Sequence, residues 1–221
     1  YSIGMLVQLF ISGMNSALTP WMYSKIKKGD IRSMRKVLQL LSIVVVGIAV
    51  ALMLISPEMV LIFGSPKYRE AVYVIPPVAA SVFFIFIYNI LSMPQFYYEK
   101  TQFLMAASMA AAGANVVLNF IFIRLFGYIA AGYTTLACYM LYSVGHYIVS
   151  KRILVNEGIQ ENLMNPGFLL ACSVFLIGAS IICNLIFPYR ILRYAILLAS
   201  AGLVFWKKEL LLKTMADIRK K

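Results

Sequence analysis

Acidic side chains are scarce in this chain, and their scarcity excludes several kinds of chemistry. The 221 residues include 8 Asp and Glu, 1 His and 3 Cys, against 20 Lys and Arg. The polar stretches contain no HExxH, no GxSxG, no glycine-rich phosphate loop and no paired acidic motif. We therefore expect neither enzymatic activity nor a bound metal or other cofactor. No Asp or Glu lies at the middle of an apolar stretch, which argues against proton or sodium coupling through this part of the protein.

The few cysteines and the single histidine also lack the neighbours that such chemistry requires. Cys138, Cys172 and Cys183 lie within apolar stretches and form no CxxC pair, which is typical of small buried residues. His146 has no carboxylate in its own predicted helix with which to form a proton relay. We interpret it as a packed or interfacial residue.

Apolar sequence is what the chain has in abundance. Hydrophobic residues make up 62% of it, and the mean hydropathy is +0.85. About 20 apolar residues in a helix cross a hydrocarbon core of roughly 30 Å. The sequence therefore predicts an all-α fold, a polytopic membrane helix bundle with seven transmembrane helices. The predicted spans are residues 2–23, 37–55, 71–93, 103–123, 129–149, 167–187 and 191–206.

Two features of the connections refine this prediction. Residues 58–70 form a nearly neutral predicted loop, and Pro76 and Pro77 predict a kink or a late helix start in the third span. Residues 207–221 form a basic tail with a Leu-Leu-Leu core, which is expected to lie as an amphipathic helix on the bilayer surface.

The basic residues predict an orientation. A net charge of +12 suggests nucleic acid in a soluble protein, but here the positive charges flank apolar spans, so no nucleic acid partner is expected. Residues 25–36, 94–102, 150–166 and the tail carry 15 of the 20 Lys and Arg. Loops rich in Lys and Arg remain on the cytoplasmic side of a membrane. These segments and the C-terminus are therefore predicted to be cytoplasmic, and the protein is predicted to lie in the cell inner (plasma) membrane. Seven spans then place Tyr1 outside, and we expect further spans upstream in a longer protein.

Polar residues within the spans are the candidates for a substrate cavity. Ser108, Ala112, Asn115 and Asn119 follow one another at i, i+4, i+7 and i+11, which places them on one face of the fourth span. Two interpretations stay open for this stripe. It either joins helices, since Asn hydrogen-bonds its neighbours and small residues permit close packing, or it faces a cavity. In the first span, Gln8 and Asn15 are seven residues apart and share a face.

Two cations lie near the ends of the spans. Arg124 follows the polar stripe by five residues, and it either reaches the outer headgroups or contacts an anionic substrate. Lys100 lies between Glu99 and Thr101 at the predicted cytoplasmic boundary, where it forms either a solvated salt pair or part of a gate.

Five motifs in order resemble the C-terminal half of a transporter family. They are NSALTP at 15–20 followed by KGD at 28–30, FGSPKYREA at 63–71, YEKT at 98–101, NVVLN at 115–119, and GYIAAG at 127–132. Their order and spacing resemble polysaccharide flippases of the multidrug/oligosaccharidyl-lipid/polysaccharide exporter superfamily, over nearly the whole chain.

This resemblance implies a fold of 12 to 14 helices in two lobes around a central cavity. Residues 1–206 would be the last seven helices of a 14-helix member, and the missing N-terminal lobe of the same protein would be their partner. The implied substrate is a lipid-linked oligosaccharide of the undecaprenyl-diphosphate type, moved by alternating access for surface polysaccharide biosynthesis. Membrane lipids would surround the helices, and the isolated chain would not transport.

Other functions are also compatible with an apolar helix bundle. A multidrug or peptidoglycan-precursor exporter belongs to the same superfamily. An intramembrane polymerase or acyltransferase generally needs polar catalytic loops, and the loops here are short and plain. A seven-helix receptor fits the orientation, but its loop signatures and a ligand-linking Lys in the seventh span are absent.

Overall fold

The computed structural model describes the backbone of residues 2–64 and 66–206. Side chains are described for residues 9, 11–62, 64, 69–200 and 202. The tail 207–221, for which a surface helix is predicted, lies outside these residues. The described part is all-helical and has no strand. Its helices are α1 (Ser2–Lys27), α2 (Ile31–Leu54), α3 (Ser56–Phe63), a 3₁₀ segment (Pro66–Tyr73), α4 (Ile75–Tyr97), α5 (Gln102–Phe126), α6 (Ala130–Asn156), α7 (Pro166–Ile186) and α8 (Arg190–Trp206).

Four helical segments in the described part are long and apolar enough to cross a membrane. They are Ile31–Leu54, Arg69–Tyr97, Gln102–Phe126 and Pro166–Ile186. The other three predicted spans also coincide with helices, which are α1, α6 and α8. The 17 residues of α8 extend only about 26 Å, slightly less than a typical hydrocarbon core.

The prediction of a loop at residues 58–70 is wrong, because α3 and the 3₁₀ segment occupy most of this region. Pro57 occupies the first turn of α3, where its missing N–H costs no hydrogen bond. The Ser56 hydroxyl donates to the Met53 carbonyl at 2.7 Å. The 3₁₀ segment then leads directly into α4. Hydropathy did not reveal α3, since a helix of 8 residues is too short to register as a span.

The basic connection after the first span is much shorter than predicted. Asp30 caps α2 by accepting a hydrogen bond from the Ser33 backbone N–H at 3.3 Å. Helix α2 therefore begins at Ile31, and the cations that follow lie on it. The Lys25 ammonium donates to Asp30 at 2.6 Å, and this bond lowers the pKa of the Asp30 carboxyl to about 2. The segment 150–156, predicted as loop, likewise continues α6. Lys and Arg extend these helices because they are good helix formers.

The late start of the third span is confirmed. Helix α4 begins at Ile75, and Pro76 and Pro77 lie in its first turn. This helix forms the centre of the bundle and packs against α1, α2, α6 and α7. Its Phe83, Phe86 and Ile90 are buried. In contrast, α5 packs mainly on α6 and has no buried residue, so it lies at the edge of the bundle.

The predicted orientation leads to a labelling result. Lys28 and Lys151 are exposed at one end of the bundle, and Arg69 is exposed in the 3₁₀ segment at the other end of α4. We expect Lys28→Cys and Lys151→Cys to react with a membrane-impermeant maleimide only after permeabilisation. The sequence predicts that Lys67 faces outside, but its side chain lies outside the described residues, so Arg69→Cys takes its place and should react in intact cells. The background would lack the native cysteines, and reaction of Lys28→Cys in intact cells would contradict the orientation.

Candidate substrate-binding face

The polar stripe of α5 faces α6. The Asn119 amide donates to Asn115 Oδ1 at 2.8 Å, and the Thr134 hydroxyl donates to Asn119 Oδ1 at 2.6 Å. Three turns away, Ser108 Oγ and the Tyr142 hydroxyl share a hydrogen bond of 2.7 Å. Eleven residues of helix separate Ser108 from Asn119, or about 17 Å along the axis. We call this row of polar contacts between α5 and α6 the polar seam.

The polar seam joins two helices, and part of it remains exposed at the surface. Asn115 and Asn119 are half-buried, while Ser108 and Ala112 are exposed. Each Asn finds a hydrogen-bond partner, which removes part of the cost of placing an amide in a membrane helix. The arrangement thus fulfils the helix-joining interpretation. It also leaves part of the same row accessible to a ligand, and the cavity-facing role stays a prediction.

An aromatic cluster extends the polar seam onto α4. The ring of Tyr88 on α4 lies 6.1 Å from that of Tyr139, with the planes only 4° apart, and 4.7 Å from that of Tyr142. All three tyrosines are half-buried. Sequence reasoning did not select them. The spacing of Tyr139, Tyr142 and His146 at i, i+3 and i+7 was the signal that they share one face of α6.

His146 supports this cluster from behind. Its side chain is fully buried, so its interpretation as a packed residue is confirmed. The Gln95 amide nitrogen lies 2.8 Å from His146 Nδ1 and also donates to the Leu91 carbonyl at 3.3 Å. The rings of Phe103 and Tyr142 meet the imidazole edge to face at 5.5 and 4.5 Å. Gln95 is a further polar residue that sequence reasoning missed.

The candidates in α1 lie apart from the polar seam. Asn15 is half-buried, and no described residue forms a hydrogen bond with its Oδ1. The Thr19 hydroxyl donates to the Asn15 carbonyl at 2.7 Å and lies 3.6 Å from Met93 Sδ. Helix α1 packs on α4 and α2, and no hydrogen bond within the described part links Asn15 to α5. Gln8 lies in α1, but its side chain is outside the described residues.

The two candidate cations differ in their surroundings. Lys100 Nζ lies 2.9 Å from Glu157 Oε1 at the end of α6. The expected salt pair therefore exists, but with Glu157 rather than with the sequence neighbour Glu99. Arg124 is exposed in the last turn of α5 and lies over the ring of Phe120 at 3.8 Å. It forms no ion pair with any residue in the described part of the chain.

No group of three or more His, Cys, Asp or Glu within the described residues is arranged to hold a metal ion. The candidate face therefore consists of neutral hydroxyls, amides and aromatic rings, with one unpaired cation beyond its end. Such a surface is suited to binding a polar ligand. No family model, curated protein or solved structure matches the chain.

Proposed function

We propose that this chain is one lobe of a membrane transporter that translocates a lipid-linked oligosaccharide of the undecaprenyl-diphosphate type. The polar seam carries the proposal, because it is a row of amides and hydroxyls along α5, a helix long and apolar enough to cross a membrane. The resemblance of the five motifs to polysaccharide flippases supplies the substrate. In this proposal α1, α2, α4, α5, α6, α7 and α8 are the seven membrane spans, and the C-terminus is cytoplasmic.

The polar seam is exposed at Ser108 and Ala112, so a cavity over it requires a second lobe. Helix α5 has no buried residue and packs mainly on α6, so its remaining surface is available to a second lobe. Pairing of the two lobes would create a hydrophilic passage along the polar seam. Alternating access then requires the lobes to rock about each other while the lipid tail stays in the bilayer.

Arg124 is the candidate in this proposal for holding the diphosphate beyond the end of the polar seam. It lies five residues beyond Asn119, about 8 Å along the helix axis and about 140° around it, over the ring of Phe120. Its guanidinium is exposed and has no carboxylate partner among the described residues. A free guanidinium binds a phosphate through two parallel hydrogen bonds. Lys100 is a weaker candidate, since Glu157 already neutralises it.

We expect Arg124→Ala in the full-length protein to lower surface polysaccharide export by about tenfold, the loss of one charge-assisted interaction. Arg124→Lys should show a smaller defect, because lysine keeps the charge but loses the bidentate geometry. The measurement is surface polysaccharide divided by the amount of protein in the membrane.

Arg190→Ala is the matched control, since Arg190 is also exposed and lies on the same predicted side of the membrane. It should leave normalised export unchanged. If Arg124 serves only to anchor α5 to headgroups, Arg124→Ala lowers protein abundance while export per molecule stays normal. That result would remove Arg124 from the substrate path.

A further inference from the structure

Three tyrosines occupy an unusual position at the middle of two long helices. Tyr88 lies near the centre of α4, and Tyr139 and Tyr142 lie near the centre of α6. Tyrosine in membrane proteins normally collects at the two interfaces, where its hydroxyl meets water. A phenol placed at mid-depth is costly unless it faces protein, water or a polar ligand. All three residues are only half-buried, so the protein alone does not cover them.

The rings are held in place by their neighbours. Tyr88 stacks on Tyr139 and tilts by 56° against Tyr142. The Tyr142 hydroxyl is bonded to Ser108 at 2.7 Å, and the Tyr142 ring meets His146 edge to face. His146 is fully buried and is held through Gln95. A binding surface whose side chains are already ordered loses little entropy when a ligand binds.

The chemistry of this surface identifies the kind of ligand that it fits. It combines aromatic faces with the hydroxyls of Tyr142 and exposed Ser108, and no charged residue forms part of it. A pyranose ring has the complementary character, with an apolar C–H face and a rim of hydroxyls. A charged diphosphate does not suit this surface, and a purely apolar chain leaves its hydroxyls unused.

We infer that Tyr88, Tyr139, Tyr142 and Ser108 form a sugar-binding site for the glycan of the transported lipid. The inference rests on the proposed function. It adds that the tyrosines and Ser108 contact the glycan, whereas Arg124 contacts the diphosphate. Ser108 and Arg124 are sixteen residues apart on α5, about 24 Å along the axis. The sugar site and the diphosphate site are therefore separate, and each is testable without the other.

Binding to the purified full-length protein tests the inference. One probe is the undecaprenyl-diphosphate-linked oligosaccharide from the producing cells, and the other is undecaprenyl diphosphate without sugar. We expect Tyr88→Leu and Tyr142→Leu each to weaken binding of the glycosylated probe by about tenfold, comparable to the loss of one stacked ring elsewhere. Binding of the bare carrier should not change. Tyr142→Phe keeps the ring and should cost only a few-fold.

Tyr133→Leu is the matched control on the same helix, because Tyr133 is exposed and its hydroxyl bonds Asn184 rather than Ser108. It should bind both probes as the wild type does. Ser108→Cys provides a second measurement, in which all three tyrosine rings remain in place. The glycosylated probe should slow its reaction with a maleimide and leave the reaction of exposed Met109→Cys on the same helix unchanged.

The outcomes separate the inference from the proposed function. If the wild type prefers the glycosylated probe but folded Tyr88→Leu and Tyr142→Leu retain that preference, and Ser108→Cys is unprotected, the sugar site is overturned and the transport proposal stands. If the wild type binds both probes equally, only the sugar site fails. If it binds neither probe, the proposed function fails, and the sugar site fails with it.

Discussion

Replacing Arg193 by alanine is expected to destabilise the lobe by about 3 kcal/mol, the lower end of the usual cost of leaving a buried charge without its partner. Arg193 is only 1% exposed, although it lies near the start of α8. Its guanidinium forms two parallel hydrogen bonds of 2.8 and 2.9 Å with the Glu58 carboxylate and one of 2.7 Å with the Leu54 carbonyl. Alanine removes all three bonds and leaves the Glu58 carboxylate without its cation, with only the Tyr194 hydroxyl still donating to it at 2.8 Å.

The measurement is the free energy of unfolding of the purified protein in detergent. Arg193→Met combined with Glu58→Gln should be less destabilising than Arg193→Met alone, because no unpaired carboxylate remains. Lys100→Ala breaks an exposed ion pair and should cost under about 1 kcal/mol. An equal loss for Arg193→Ala and Lys100→Ala would show that the Arg193 pair is not a major tie between α8 and the bundle.

The same pair predicts how stability depends on pH. The hydrogen bonds from Arg193 lower the pKa of the Glu58 carboxyl from 4.5 to about 2. A carboxyl whose folded pKa is depressed contributes its full stability above the unfolded pKa, and the contribution disappears as the pH falls through the folded value. The stabilisation from Glu58 is therefore constant at neutral pH and is lost between about pH 4.5 and 2. Arg193→Ala should remove this part of the acid sensitivity.

Gly132→Leu is expected to destabilise the lobe by about 3 kcal/mol or more, and Gly132→Ala by about 1 to 3 kcal/mol, because both overpack a close helix contact. A Cβ atom at Gly132 would lie 2.9 Å from Pro77 Cγ and 3.0 Å from the Val74 carbonyl oxygen. Neither atom moves easily, since one belongs to a proline ring and the other to the backbone. Helices α4 and α6, which Gly132 brings together, share the most extensive packing in the bundle.

Gly113→Ala on α5 is the matched control, because a Cβ atom there meets nothing within 4 Å. It should be neutral or slightly stabilising, as alanine is a better helix former than glycine. Unfolding in detergent again provides the comparison. If Gly132→Ala were as harmless as Gly113→Ala, the close approach of α4 and α6 at Val74 and Pro77 would not be a rigid contact.

Local sequence determined the helices and the composition of their faces. Stretches of about twenty mostly apolar residues predicted the membrane helices, and the start of α4 followed from the fixed backbone angle of Pro76 and Pro77. The alignment of Ser108 with Asn119 also followed from the sequence, since the period of a helix is a property of its own backbone. In the described residues, the errors lay at α3 and at the ends of α2 and α6. Capping and helix propensity decide such boundaries, and apolar content does not.

Tertiary structure alone decided which side chains meet. The sequence indicated that Asn119 needs a partner, but only the packing of α5 on α6 supplies Thr134. Arg193 lies at the start of the predicted seventh span, and only the packing of α8 buries it against Glu58, which lies 135 positions earlier. The aromatic cluster likewise requires Tyr88 of α4 to meet two tyrosines of α6. Periodicity describes one helix at a time, whereas these contacts depend on the relative positions of helices that are distant in sequence, and side-chain packing determines those positions.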